Sequence, residues 1–273
     1  MARDIISDPS PALGWPLLLT VALRSLFLEA SWNLAGQQNI GFAAAVSPVL
    51  NFLYKGRPDD LASARQRVLQ FFNTNPMLSG LVIGVALKLE EEKARGRIED
   101  RQLNLIISSM ASTLAGHGDL LFWQTWLPFC CILGFGLTWL SLAFGQVTWI
   151  PLIIPVLFCA FTGPVRFGGL FYGYRRGLET HKSINTFHVK QIVKWVQRLT
   201  VLLSGLLTTY SLKLIPEVHN PNGSLILSKE LFLTAVVVSV LGLVLIQRFC
   251  PLVGPKSLYV LTVIGLASVT VFI

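Results

Sequence analysis

Three short runs of the 273-residue chain gather side chains suited to holding a polyhydroxylated ligand such as a sugar. The first holds Glu29, Ser31, Trp32, Asn33 and Gln37, the second Asn73, Thr74 and Asn75, and the third His117, Asp119, Trp123 and Gln124. Amides and carboxylates exchange hydrogen bonds with hydroxyl groups, and an indole ring covers the apolar face of a pyranose. The same residue types also cap broken helices and join helices across a membrane. Both readings stand on residue type alone. Ionisable Glu29 and Asp119, set among apolar segments, favour a functional role.

Other chemistries find less support. The sequence has no Walker A loop, no GxSxG and no HExxH, and Gly116-His117-Gly118-Asp119 is too short for a dinucleotide loop. No catalytic residue, cofactor or metal site is therefore assigned. Cys130, Cys131 and Cys159 lie in apolar runs and Cys250 follows one, without CxxC or Cys/His spacing, so they read as small buried hydrophobes. His181 and His188 fall among basic residues, His219 in a turn-rich segment, and only His117 stands beside candidate site residues.

The elements that must position these groups belong to a membrane protein. Hydrophobic residues make up 53% of the chain and charged residues only 13%, against about 25% charged in a soluble domain. The net charge of +8 sits in segments beside apolar runs. That distribution argues for cytoplasmic loops and against nucleic-acid binding. Met1 to Pro11 lacks the n-region and cleavage site of a signal peptide, so it is expected to be retained.

Leu120 to Val165 contains no Asp, Glu, Lys or Arg and is long enough for two spans, with a turn expected near Gly145, Gln146 and Pro151. Residues 166–198 read as a basic cytoplasmic loop carrying Arg166, Arg175, Arg176, Lys182, Lys190, Lys194 and Arg198. Gln191 to Ile215 reads as a third span, with further spans over Leu231 to Gln247 and Ser257 to Ile273. Upstream, Leu13 to Leu34 is apolar but interrupted by Arg24 and Glu29. Asn39 to Tyr54, Met77 to Leu89 and Leu103 to Gly116 are too short to span singly and suggest re-entrant hairpins.

Asp59 to Phe72 places Leu61, Ala64, Val68 and Phe71 at helical spacing opposite Arg65, Gln66 and Arg67, which predicts an amphipathic interfacial helix. Lys88 to Arg101 predicts a solvated helix broken at Gly96. The expected fold is an all-α polytopic membrane protein: several transmembrane helices, re-entrant helical hairpins and one interfacial helix. Residues 1–119 form its N-terminal part and 120–273 its transmembrane part.

The runs FLEASWNLAGQQNIGF (Phe27 to Phe42), FFNTNP (Phe71 to Pro76), GVALKLEEEKARG (Gly84 to Gly96), LAGHGDLLFWQTWLP (Leu114 to Pro128) and YGYRRGLE (Tyr172 to Glu179) resemble the IID subunit of mannose/fructose/sorbose-type phosphotransferase-system permeases. The resemblance covers roughly Phe27 to Glu179; the C-terminal third agrees mainly in hydropathy. It implies a subunit of the bacterial cytoplasmic (inner) membrane that pairs with IIC to translocate a hexose. Cytoplasmic IIA and IIB would relay phosphate, and IIB would phosphorylate the incoming sugar. IID would carry no phosphorylated residue and would not be an enzyme by itself. Oligomers of IIC–IID pairs, set in membrane lipid, are implied as well.

Carried over by matching position, Trp32, Asn33, Gln37, Asn73, Asn75, Asp119 and Trp123 are the expected substrate-binding residues. The chain departs from the family at three positions. His117 stands where a small or aliphatic residue is usual, Gln124 where Gly is usual, and Leu127 where Arg is usual. Bulkier His117 and Gln124 are expected to narrow or re-specify the site. A membrane scaffold or regulatory partner of IIC without sugar contact is the alternative function, and a facilitator working without phosphorylation is a third.

Overall fold

The computed structural model describes residues 13–143, 150–183, 189–214, 218–219 and 225–227. The chain divides into two units, Met1–Leu203 and Ser204–Ile273.

Within the first unit, helix α1 (Trp15–Arg24) opens with Pro16 in its first turn, where a missing N–H costs nothing. It buries Leu18, Val21 and Ala22 and passes into a 3₁₀ turn over Ser25–Phe27. Helix α2 (Asn39–Leu53) buries Phe42, Ala45, Val46, Val49, Leu50 and Leu53. Helix α3 (Pro58–Val68) starts on proline, with Asp59 and Asp60 in its first turn and Arg65 and Arg67 in its last, each charge opposing the helix dipole. Helix α4 (Ser79–Ala94) is buried on nearly every side from Ser79 to Leu87, so it forms the centre of the unit.

Helix α7 (Ile153–Arg176) packs along α4, and glycine permits the close approach. A Cβ at Gly84 would lie 2.1 Å from the Leu170 carbonyl oxygen, and one at Gly173 would lie 2.4 Å from that of Leu81. Gly80 and Gly84 on α4 face Gly169 and Gly173 on α7, a small-residue pattern that lets backbones touch.

Helix α5 (Asp100–Gly118) continues through a π-helical segment (Asp119–Trp126) into α6 (Leu127–Ala143). Leu103 to Gly116 is therefore not a separate short piece, but one end of a helix that runs through residues 119 and 120. A short 3₁₀ turn over Ile150–Leu152 leads into α7, which ends at Gly177 with φ 50°. Helices α8 (Leu178–Ser183) and α9 (Val189–Leu214) follow, α9 crossing into the second unit. Among the described residues, the second unit also holds an antiparallel pair, β1 (Val218–His219) and β2 (Leu225–Leu227).

Two helices among the described residues are long and apolar enough to cross a membrane, Asp100–Thr138 and Ile150–Arg176. At 1.5 Å per residue, the 27 residues of the latter reach about 40 Å, more than the roughly 30 Å hydrocarbon layer. The expected spans over 231–247 and 257–273 lie outside the described residues, as does the expected turn at Gly145 and Gln146.

Three sequence expectations change. The basic stretch 166–198 is not a loop: its described residues belong to the end of α7, to α8 and to the start of α9, and Arg166 is buried. Arg67, expected on the polar face of α3, is buried, as are Glu90 and Glu91 of the expected solvated helix. These charges go inside because they satisfy one another. Arg67 Nη2 lies 2.9 Å from Glu90 Oε2, Arg67 Nη1 lies 3.0 Å from Asp100 Oδ1, and the Tyr54 hydroxyl donates to Glu90 Oε2 at 2.8 Å. Burial, and then the Glu90 carboxylate, pushes the Tyr54 hydroxyl well above its ordinary titration range. The break at Gly96 is present, with φ 73° between α4 and α5.

Candidate functional site

The site begins with a backbone knot between α1 and α2. Asn33 and Gln37 exchange backbone hydrogen bonds at 3.0 and 2.9 Å, and Asn33 Oδ1 accepts from the Gly36 N–H at 2.7 Å. Asn33 Nδ2 donates to Asn39 Oδ1 at 3.0 Å, and Gln37 takes the left-handed conformation with φ 57°. Segment 71–76 docks on this knot. Gln38 N–H donates to the Phe72 carbonyl at 2.9 Å, and the Phe42 and Phe72 rings stack at 4.2 Å.

Gln38, itself buried, ties the two segments together. Its Nε2 donates to Glu29 Oε1 at 2.6 Å and to the Thr74 carbonyl at 2.8 Å, while its Oε1 accepts from the Thr74 N–H at 2.9 Å. The third segment joins through Asn75. Its Nδ2 donates to Asp119 Oδ1 at 2.9 Å and its Oδ1 accepts from the Met77 N–H at 3.0 Å. Gly118 lets the helix come this near, since a Cβ there would lie 2.3 Å from Asn75 Cβ.

Asp119 opens the π-helical segment, and Trp123 follows one turn later on the same face. π-helical turns recur at functional sites because they re-aim side chains without ending the helix. Here Thr125 Oγ1 donates back to the Leu120 carbonyl at 2.7 Å and accepts from Gln197 Nε2 of α9 at 3.3 Å. Trp123 stacks on Phe158 of α7 with centroids 6.0 Å apart.

Together these segments enclose a cavity of about 220 Å³ whose lining includes Glu29, Trp32, Asn73, Asn75, Asp119 and Trp123. Both indoles keep much of their surface open, Trp32 at 49% and Trp123 at 41%. Two carboxylates, three side-chain amides (Gln38 with Asn73 and Asn75) and two indole faces suit a ligand of hydroxyls with one apolar side. The Thr74 hydroxyl, also in the lining, is buried without a hydrogen-bond partner among the described residues.

Of the expected binding residues, the structure brings Trp32, Asn73, Asn75, Asp119 and Trp123 to one cavity. Asn33 and Gln37 do not join them; their hydrogen bonds build the knot beneath it. Sequence reasoning missed Gln38 as the linking residue and did not carry Glu29 or Thr74 into the expected set. A glutamine between Gln37 and Asn39 gives no local signal; only its partners on 71–76 do. His117, Gln124 and Leu127 lie outside this lining. Among the described residues, no group of three or more His, Cys, Asp or Glu could hold a metal ion.

Residues 16–273 match the family described as the PTS system mannose/fructose/sorbose family IID component. The chain is a member of that IID family. The mannose-specific EIID component of Escherichia coli K12 is 32% identical to this IID over 188 residues, which cover 68% of this chain and 65% of that protein. The match thus spans just over two thirds of this chain and just under two thirds of that protein. A solved structure described only as a membrane protein superposes with a TM-score of 0.70 at 25% identity, over 95% of this chain and 98% of the other. A cryo-electron microscopy structure of the mannose transporter ManYZ with microcin E492 superposes with a TM-score of 0.56, also at 25% identity, over 94% of this chain and 97% of the other. The described residues of this IID therefore share their fold with these chains.

Proposed function

We propose that this IID chain pairs with a IIC subunit to translocate a hexose across the bacterial cytoplasmic membrane, the sugar being phosphorylated by IIB as it enters. The convergence of Trp32, Asn73, Asn75, Asp119 and Trp123 on one polar cavity carries this reading. Those residues come from segments far apart in sequence, and a ligand of hydroxyls uses all of them. The chain is not an enzyme alone: it supplies part of the path, and the phosphoryl group travels from IIA to IIB and then to sugar.

The same reading extends to topology. The helix Asp100–Thr138 and the helix Ile150–Arg176 cross the bilayer as part of a multi-pass subunit. The shorter apolar helices Trp15–Phe27 and Asn39–Leu53 enter and leave from one side as re-entrant elements, lining a cavity where irregular backbone is tolerated. Helix α3 lies at the interface. Basic residues near α8 and the start of α9 face the cytoplasm, where IIA and IIB act. IIC–IID pairs assemble further, with lipid around their apolar faces.

One observation favours a scaffold role instead: Gln38, Asn75 and Asp119 already spend hydrogen bonds on the protein. Omission separates the two. Cells making IIA, IIB and IIC accumulate labelled hexose phosphate with this chain and lose that accumulation without it, if it is an obligatory permease subunit. Unchanged accumulation without it assigns the chain to the scaffold class.

A further inference from the structure

Arg166 is a buried charge that the pocket lining does not include. It sits within the apolar helix α7, nine-tenths buried, at membrane depth on the topology above. A guanidinium there is costly unless it is paired and fully hydrogen-bonded. Arg166 Nη2 donates to the Ser25 carbonyl, yet its Nε is buried without an acceptor among the described residues. If α7 needed only packing, an apolar residue would serve better at this position. An incompletely satisfied buried cation calls for another reason.

The surroundings supply one. The Arg166 carbonyl is wedged against α4, where a Cβ on Gly80 would lie 1.9 Å from it, so the α7 backbone is fixed at this turn. Ser25 is buried too, its hydroxyl donating to the Ala22 carbonyl at 2.7 Å. The turn of Ser25–Phe27, whose first carbonyl Arg166 holds, leads directly to Glu29. Glu29 in turn holds Gln38, and Gln38 holds both backbone groups of Thr74. A chain of contacts therefore runs from the rigid α4–α7 pair to the wall of the cavity.

We propose that Arg166 is a positioning residue for sugar binding: it anchors the 25–29 turn through the Ser25 carbonyl, which places Glu29 to keep Gln38 and the 73–75 segment in register. It touches no substrate; its effect passes through Glu29. The proposal rests on the cavity being the sugar site.

The test is transport kinetics in the complete complex with IIC, IIA and IIB, using whichever of labelled mannose, fructose or sorbose the wild type accumulates. Arg166→Gln raises the apparent KM about tenfold, with a smaller change in maximal rate per assembled complex. Arg166→Lys, which keeps the charge, recovers part of that loss. Glu29→Gln has a similar effect, and the double variant Glu29→Gln/Arg166→Gln is no worse than either single one, since both act along one path. Additive effects in the double variant, or an Arg166→Lys variant that assembles with wild-type KM alongside an Arg166→Gln variant that only fails to assemble, overturn the proposal. Asn73→Ala serves as the control on the cavity: if it leaves uptake unchanged, the sugar-site reading fails; if it impairs uptake while Glu29 and Arg166 prove additive, only the positioning role fails.

Discussion

The Asn75 amide donates to Asp119 Oδ1 at 2.9 Å, although the two residues stand 44 positions apart. This bond joins the segment after α3 to the start of the π-helical segment, and Gly118 leaves the space it occupies. Gly118→Ala forces a Cβ into Asn75 and pushes the two walls of the cavity apart. We expect an assembled complex with at least a tenfold higher apparent KM for the transported hexose, read from uptake against concentration. Asn75→Ala removes the donor and the Met77 cap together, costing about 1–3 kcal/mol of stability. A lowered melting midpoint of the purified complex checks this.

The α4–α7 contact should be intolerant of even one methyl group. Gly84→Ala places Cβ 2.1 Å from the Leu170 carbonyl oxygen, with backbone rather than a mobile side chain in the way. The helices must separate, and overpacking of this kind costs about 1–3 kcal/mol or more. Membrane levels of the variant should fall sharply. At Gly163, where a Cβ would meet nothing within 4 Å among the described residues, alanine should be accepted without such a loss.

Gln37 and Asn33 should behave as fold residues and not as ligand contacts. Gln37 has φ 57°, a conformation glycine adopts without strain. Gln37→Gly should therefore keep wild-type uptake and KM, whereas Gln37→Val should lower stability by about 1–3 kcal/mol. Paired melting and uptake measurements on the two variants decide this.

The Tyr54–Arg67–Glu90 cluster predicts an asymmetric response. Arg67→Ala leaves the Glu90 carboxylate buried beside Tyr54 alone and should cost about 3–5 kcal/mol. Tyr54→Phe removes one donor from a carboxylate that Arg67 still neutralises, and should cost about 1 kcal/mol. Thermal unfolding of the single variants and the double variant gives both values and their coupling.

Much of the site could be read from the sequence because its residue types are rare in apolar surroundings. Trp32, Asn73, Asn75, Asp119 and Trp123 stand out as polar or amphipathic groups in a chain that is only 13% charged. What separates them from Asn33 and Gln37 is tertiary: the knot and the cavity wall use the same amides, and only their partners distinguish them. Charge patterning misread Arg166, Arg67, Glu90 and Glu91, because it treats a charge as a mark of water when no partner is visible locally. The Gly80–Gly84 and Gly169–Gly173 spacings were a usable signal for the α4–α7 contact, each pair lying four apart and so on one helix face. The π-helical segment had no such signal, since Asp119 and Trp123 share a face in an ordinary helix as well.

The most direct test of the central claim is hexose uptake by the complete complex carrying Asn73→Ala or Trp32→Ala. Both side chains are exposed in the cavity, so their loss should spare folding and assembly. The account predicts normal amounts of IIC–IID complex, with apparent KM raised about tenfold or accumulation of hexose phosphate abolished. Wild-type uptake kinetics in both variants, at wild-type complex levels, would contradict it.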